Sequence, residues 1–174
     1  MGRTAAGDHA AFERLFRRFE RPLYAYFLRA THDAPLAEDL VCETMAAVWR
    51  GARGFRGESR ASTWIFGIAH HRLAGARRRQ RPHASLEEGE LVSANGDPAN
   101  TAERADVADR IRRAVETLPA GQRDVVELTF YHGFAYPDIA QILRIPVNTV
   151  KTRMFYARKK LQTLLEAAGV ADES

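Results

Sequence analysis

Apolar residues recur at three- and four-residue steps along most of the 174-residue chain, and one stretch, residues 81–104, interrupts the pattern. Such steps place side chains on one face of a helix, so they predict an all-α protein. The interrupting stretch is rich in proline, glycine, serine and asparagine, which favour turns and loops. We therefore predict two small helical domains, residues 1–80 and 105–174, joined by a flexible linker; a single domain with one long surface loop is the alternative.

The charge is distributed unevenly along the chain. The whole sequence contains 26 Lys and Arg against 22 Asp and Glu, a net charge of +4, and 23 of the basic residues are arginines. Residues 1–80 carry +6 and residues 105–174 carry +1, whereas the linker carries −3. Because the planar arginine fork suits phosphate and carboxylate groups, nucleic acid is the leading class of partner.

Cysteine content and hydropathy indicate the compartment. The single cysteine, Cys42, cannot form an internal disulfide, so a secreted, disulfide-stapled scaffold is excluded. Without a resolving partner, Cys42 is interpreted as an inert helix residue rather than a redox sensor. No stretch approaches the roughly 18 uninterrupted apolar residues of a membrane span. We expect a cytoplasmic protein without membrane insertion.

The first domain begins with three predicted helices. Asp8 is a candidate cap for the first, Pro22 is predicted to end it and to begin the second, and Asp33 is predicted to start a third over roughly residues 35–50. The apolar residues of the third helix should face inward: Leu36, Leu40, Val41 and Val48. Its outer side carries Glu38, Asp39 and Glu43.

A glycine- and arginine-rich segment, residues 51–60, should form a basic loop before a fourth helix. That helix begins near Ala61, ends in three arginines at 77–79 and carries Trp64, His70, His71 and Arg72. Aromatic and basic groups on one element are typical of sites where bases stack and phosphates are neutralised. The alternative is a tryptophan in the core and an arginine run that forms a solvated helix end.

The second domain contains two short helical patterns in close succession, after two helices that end at Pro119 and Gly133. The first pattern covers residues 137–143, a turn follows at 144–146, and Val150, Met154, Ala157 and Leu161 then recur at steps of four, three and four. This spacing predicts a helix-turn-helix. Residues 147–161 include five basic residues and no acidic one, which suits a helix in the major groove. A helical hairpin with a basic solvated face is the alternative.

Motifs for catalysis are missing from the sequence. His70 and His71 are adjacent and would point about 100° apart on a helix, and no cluster of cysteines or carboxylates accompanies them. The sequence contains no phosphate-binding loop, dinucleotide-binding motif or nucleophile elbow. We predict a protein without enzymatic activity, metal or cofactor.

Three segments resemble the extracytoplasmic-function (ECF) sigma factors of bacterial RNA polymerase: AEDLVCETMAAVWR (37–50), FRGESRASTWIFGIAHHRLAGARRR (55–79) and LPAGQRDVVELTFYHGFAYPDIAQILRIPVNTVKTRMFYARKKL (118–161). The resemblance implies sigma domain two, a linker and sigma domain four, in that order. It implies a transcription initiation factor that binds core RNA polymerase, recognises the minus-thirty-five and minus-ten promoter elements and promotes strand opening. The alternative, a stand-alone helix-turn-helix regulator, would not need the first two segments.

The resemblance also implies roles for particular residues. Those near core polymerase would be Glu38, Asp39, Glu43 and Trp49. Those that hold the minus-ten element would be Phe55, Arg56, Gly57, Glu58, Ser59, Thr63, Trp64, His71 and Arg72. Those at the minus-thirty-five element would be Pro146, Val147, Asn148, Thr149, Lys151, Thr152, Phe155 and Tyr156, with Arg153, Arg158 and Lys159 on phosphate.

The linker would thread through the RNA exit path, where Glu87, Glu88 and Glu90 fit a basic channel. An anti-sigma factor is a further implied partner. The chain departs from the family pattern at Cys42 (usually Gln), His71 (Asn), Ala135 (a capping Ser) and Arg144 (Gly). We expect Arg144 to adopt the left-handed conformation at a cost of ~1 kcal/mol, or the turn to be reshaped.

Overall fold

The computed structural model describes residues 1–80 and 102–167, and the secondary structure in these ranges is entirely helical. Most of the predicted linker, including Glu87, Glu88 and Glu90, lies outside the described residues. The chain splits into two compact units. The first contains residues 1–80, and the second contains the helices from Ala102 to Val126, the start of the helix at Tyr136 and the long last helix.

The first unit contains α1 (Gly2–Ala5), α2 (His9–Thr31), α3 (Ala34–Gly51) and α4 (Ala61–Gln80), with a 3-10 turn at Ala52–Gly54. Both predicted caps are confirmed. The Asp8 carboxylate accepts a hydrogen bond from the Ala11 N–H at 2.9 Å, and the Asp33 carboxylate accepts one from the Leu36 N–H at 2.9 Å. The bond from Ala11, assisted by Arg3, holds the pKa of Asp8 below its usual 3.8.

The prediction that Pro22 ends a helix is wrong, because α2 continues through it from His9 to Thr31. Pro22 has no backbone N–H, so the carbonyl of Arg18, one turn earlier, loses its usual hydrogen-bond donor. Both residues lie on the exposed side of the helix. The opposite side is buried on both sides of the proline, at Phe19, Leu23 and Phe27. Burial of this continuous apolar face against α3 and α4 therefore outweighs the missing hydrogen bond.

The core of the first unit joins α2, α3 and α4. Its large buried side chains are Leu23, Tyr26, Phe27, Leu40, Met45, Val48, Ile65, Phe66 and Leu73. Of the α3 residues predicted to face inward, Leu40, Val41 and Val48 are buried and Leu36 is half-buried. This packing leaves the outer face of α3 and the loop between α3 and α4 at the surface.

The elements described after residue 101 are α5 (Ala102–Glu116), α6 (Ala120–Val126), a π-helical turn (Glu127–Tyr131), α7 (Tyr136–Leu143) and α8 (Val147–Ala167), and all of them except Gln141–Leu143 are assigned to the second unit. Helix α5 begins at Ala102, so residues 102–104, which fall within the predicted linker range, are helical. Ala, Glu and Arg at these positions are strong helix formers. Ile111, which the apolar pattern places on the packed face of α5, is 37% exposed.

The turn between α7 and α8 has the expected left-handed residue. Arg144 has φ 54°, and the N–H of Ile145 donates to the carbonyl of Ala140 at 3.0 Å, which closes α7 in a Schellman motif. Gly133, the predicted stop, has φ 67°. The short helix α7 and the long helix α8 are thus joined by a three-residue turn, as the helix-turn-helix prediction requires.

Candidate nucleic-acid interface

The helix α8 has two chemically different faces. Val150, Met154 and Ala157 are buried at 0–2% exposure, at the spacing of one helical face. The exposed face carries Asn148, Lys151, Thr152, Phe155, Tyr156, Arg158 and Lys159. The helix starts after Pro146, whose carbonyl accepts hydrogen bonds from Thr149 and Val150. The tertiary structure therefore presents a cationic and aromatic face that is free of carboxylates.

The residues predicted at the minus-thirty-five element differ in accessibility. Pro146 is exposed together with the seven residues of the exposed face, whereas Val147, Thr149 and Arg153 are half-buried. The Arg153 guanidinium lies against α6, because a Cβ on Gly121 would lie 2.9 Å from the Arg153 Cζ. Gly121 thus allows this arginine to pack close to the backbone of α6. The charge of Arg153 alone suggests a phosphate contact, but its guanidinium group packs against another helix of the protein.

Two large aromatic side chains protrude from this face. Phe155 is 64% exposed and Tyr156 is 55% exposed, and their ring centroids lie 5.4 Å apart in an edge-to-face arrangement. Large apolar side chains usually contribute to a core, so two adjacent ones on a cationic helix face call for a partner. Aromatic and methyl contacts in the major groove are one way to read thymine.

In the first unit, the loop that follows α3 is anchored by an aromatic contact. The ring centroids of Phe55 and Trp64 lie 5.2 Å apart, and the Trp64 ring covers Gly51, where a Cβ would lie 3.2 Å from Cζ2. Trp64 is half-buried, so it packs against the loop and also reaches the surface. The two interpretations of this tryptophan, core residue and stacking platform, therefore each describe part of its environment.

The other predicted minus-ten residues divide between surface and core. Arg56, Gly57 and Glu58 are exposed, whereas Ser59 is half-buried. The Arg56 Nη1 lies 3.8 Å from the Glu58 Oε1, and Gly57 between them has φ 74°. His71 is exposed on α4. Thr63, in contrast, is only 2% exposed because the start of α4 turns it inward, so its side chain is not accessible to DNA on this surface.

The neighbouring histidines on α4 have different environments. His70 is half-buried, and its Nδ1 lies 3.1 Å from the Tyr26 hydroxyl of α2, whereas His71 faces outward. Within residues 1–80 and 102–167, the structure contains no group of three or more His, Cys, Asp or Glu residues that could hold a metal ion.

The predicted polymerase-binding residues lie on α3. Glu38, Asp39 and Glu43 are exposed, and Cys42 lies between them on the same face. Trp49 is half-buried at the end of the helix, 4.9 Å from the His9 ring and 5.0 Å from the Phe12 ring between centroids. It therefore packs mainly against the start of α2.

One contact joins two of the predicted sites. The Arg72 guanidinium of α4 lies 3.9 Å from the Glu43 carboxylate of α3, so a predicted minus-ten residue meets a predicted polymerase residue. No sequence pattern indicates this pair, because the two residues are 29 positions apart and belong to different motifs. The sequence also does not indicate the contact of Trp64 with Gly51 or the contact of Arg153 with Gly121.

The helix-turn-helix and the cationic, aromatic face of α8 define a helix-turn-helix DNA-binding protein with a second helical unit at its N-terminal side. The chain matches the family Sigma-70 region 2 over residues 15–83 and the family Sigma-70, region 4 over residues 108–161. Both units of the protein are thus covered by matches to sigma-70 families.

Individual relatives agree with these matches. The chain is 32% identical to the RNA polymerase sigma-H factor of Pseudomonas aeruginosa, over 95% of this chain and 94% of the relative. It is 31% identical to the ECF RNA polymerase sigma factor SigK of Mycobacterium bovis, over 97% of this chain and 92% of the relative. Its structure resembles the sigma factor RpoE of Bartonella quintana, crystallised with the anti-sigma factor NepR, with TM-score 0.72 and 25% identity over 90% and 97% of the two chains.

The chain belongs to the ECF sigma factors of the sigma-70 family. It is a transcription initiation factor that directs RNA polymerase to promoters. The comparisons do not support the alternative of a stand-alone regulator, because the matches cover region 2 as well as region 4. Among the helices that the structure describes, none is long and apolar enough to cross a membrane.

Proposed function

We propose that α8 enters the major groove at the minus-thirty-five element. The observation that carries this proposal is the exposed face of α8, where aromatic, amide, hydroxyl and cationic groups lie opposite a fully apolar buried face. Asn148, Lys151, Thr152, Phe155 and Tyr156 would contact base edges. Arg158 and Lys159 would contact phosphate, which adds affinity but no sequence preference.

Promoter binding by the full chain assembled with core polymerase tests this assignment. Lys151→Ala and Thr152→Ala should reduce the preference for the cognate upstream element over a scrambled one, by roughly 5- to 100-fold if a good base contact is lost. Lys159→Ala, the control, should weaken binding to both DNAs alike and lower the salt slope by about one. Equal and sequence-independent losses for all three variants would contradict base reading by this face.

We also propose that the loop over residues 55–60 and the exposed side of α4 hold the unpaired minus-ten strand. Phe55 and Trp64 form an aromatic pair beside exposed Arg56, and His71 faces outward from the same helix as Trp64. Aromatic stacking on an unpaired base contributes ~1–3 kcal/mol, enough to offset much of the cost of unstacking it. Thr63 would act only by packing, since it is buried.

His71 and His70 form a matched pair for testing strand opening. His71→Ala should leave binding to the closed duplex unchanged and reduce opening by about tenfold or more, because the exposed ring would meet only an unpaired base. His70→Ala should instead lower stability, since its ring meets the Tyr26 hydroxyl. A fluorescent base analogue in the minus-ten element reports opening in parallel with duplex binding. Normal opening by His71→Ala would overturn the role of this residue.

The proposed contact with core polymerase rests on the exposed position of the acidic residues of α3 and on the similarity of the chain to sigma factors. We propose that the acidic face with Glu38, Asp39 and Glu43 contacts core polymerase, and that Trp49 supports this face from the side of α2. Reversal of charge at Asp39 should then weaken assembly with core polymerase in pull-down assays. Normal assembly of this variant would show that the acidic face of α3 does not contact core polymerase.

We further propose an anti-sigma factor as a regulator, because the structurally similar RpoE was crystallised with one. We propose that residues 1–80 form the first domain, residues 81–104 the linker and residues 105–174 the second domain. Helix α5 then begins inside the linker range, at Ala102. Work with RNA polymerase would place the protein in the cytoplasm. A bound anti-sigma factor should compete with core polymerase, so its addition should reduce promoter binding.

A further inference from the structure

The carbonyls at the C-terminal end of α5 accept hydrogen bonds from basic side chains of two other helices. The Arg123 guanidinium of α6 donates to the carbonyls of Glu116 and Leu118. The Lys160 ammonium of α8 donates to the carbonyl of Thr117 at 2.8 Å. Three successive carbonyls at a helix end, where unpaired carbonyls carry partial negative charge, are thus satisfied by side chains of α6 and α8.

Packing between α8 and this corner is incomplete: Leu161, Leu164 and Leu165 of α8 are only half-buried. An open groove with a volume of about 490 Å³ lies between the start of α6 and the C-terminal half of α8, lined by Pro119, Gln122, Tyr156, Lys159, Lys160, Thr163 and Leu164. The buried contacts of α8 lie further towards its start, at Val150, Met154 and Ala157. The hydrogen bond from Lys160 to Thr117 therefore adds a polar contact beside the groove, where the apolar side chains of α8 are only half-buried.

The two adjacent lysines on α8 differ in their partners. Lys160 reaches across to α5, whereas the ammonium group of Lys159 has no hydrogen-bond or ion-pair partner within the described part of the chain. Both contribute equally to the positive charge of residues 147–161. Charge counting alone would assign both to DNA phosphate, but the structure separates them.

We infer that Lys160 is a positioning residue: its hydrogen bond to the Thr117 carbonyl holds the C-terminal half of α8 and sets the orientation in which the exposed face meets DNA. This inference rests on the proposed reading of the minus-thirty-five element by α8. Loss of the bond would let the helix shift by a small amount, and base contacts depend on orientation more than phosphate contacts do. Lys160 therefore affects discrimination between sequences rather than the number of phosphates neutralised.

The test compares Lys160→Met, Lys160→Arg and the matched control Lys159→Met in holoenzyme assembled with core polymerase. For each variant, binding to promoter DNA with the cognate and with a scrambled upstream element is measured over a series of salt concentrations. Lys159→Met should lower the slope of log K against log salt by about 0.9 and leave the ratio of the two affinities unchanged. Lys160→Met should leave the slope unchanged and lower the ratio by about two- to tenfold. Lys160→Arg, which keeps a donor, should restore most of the ratio.

Two results would overturn the inference while the proposed function stands. One is a lower salt slope for Lys160→Met, which would make Lys160 a phosphate contact. The other is an unchanged ratio together with an unchanged slope. If the wild-type holoenzyme itself does not discriminate between the two upstream elements, the proposed function fails and this inference fails with it. Lys160→Leu serves as a second neutral variant without a hydrogen-bond donor. Thermal unfolding followed by circular dichroism confirms that each protein is folded.

Discussion

Replacement of Arg144 by glycine should stabilise the second unit. Arg144 ends α7 with φ 54°, a conformation that glycine adopts freely but that brings the Cβ of other residues close to the following carbonyl. Its side chain is exposed, so the substitution removes little packing. The Schellman hydrogen bond from Ile145 to Ala140 uses backbone atoms only and is retained.

The expected gain is the difference of two opposing terms. Relief of the left-handed strain contributes ~1–2 kcal/mol. Glycine also makes the unfolded chain more flexible, which costs about 0.4–1 kcal/mol. The midpoints of these two ranges leave a net stabilisation of about 0.8 kcal/mol, which for a unit of this size corresponds to a rise of roughly 3–6 °C in Tm.

The two tryptophans allow each unit to be followed separately. Trp49 and Trp64 both lie in the first unit, so their fluorescence reports its unfolding, whereas circular dichroism follows the helices of both units. Arg144→Gly should shift the dichroism transition of the second unit and leave the fluorescence transition unchanged. Arg144→Ala is the matched control, because it removes the same charge but keeps a Cβ.

The comparison of the two variants isolates the backbone effect. Arg144→Gly should be more stable than Arg144→Ala by the net amount given above. Equal stability of the two variants, or a less stable glycine variant, would refute the view that the left-handed residue is strained in this turn. A parallel shift in tryptophan fluorescence would show that the effect is not confined to the second unit.

Three further predictions concern the helix caps and the linker. Asp33→Ala should destabilise the first unit by ~1 kcal/mol in tryptophan-detected denaturation, because the Leu36 N–H loses its acceptor, and an unchanged midpoint would contradict this role. Asp8 has a pKa lowered below 3.8, so its contribution is present above that pH and is lost as the pH falls through the lowered value. The stability difference between wild type and Asp8→Ala should therefore shrink on acidification, and a widening difference would contradict the sign. Limited proteolysis should cut first within residues 81–104 and release two helical fragments, whereas early cleavage within residues 35–79 would contradict the division into two domains.

Local sequence patterns predicted much of the first unit. The caps Asp8 and Asp33 and the third helix were predictable because short polar side chains and period-3.6 patterning act over a few neighbouring residues. Pro22 was not, because the intrinsic cost of a proline was outweighed by burial of Leu23 and Phe27 against other helices. Thr63 is a similar case, since only the packing of α4 shows that it points inward.

The sequence by itself determined the helical class, the helix-turn-helix and the concentration of charge on α8, because each depends on residues close together in the chain. Only the tertiary structure decided which basic side chains contact other parts of the protein. Lys160 is tied to Thr117, 43 positions away, Arg153 lies on Gly121, and Arg72 lies near Glu43. The physical reason is that hydrogen bonds and ion pairs depend on distances of a few ångströms in space, and for these pairs the packing of helices sets those distances.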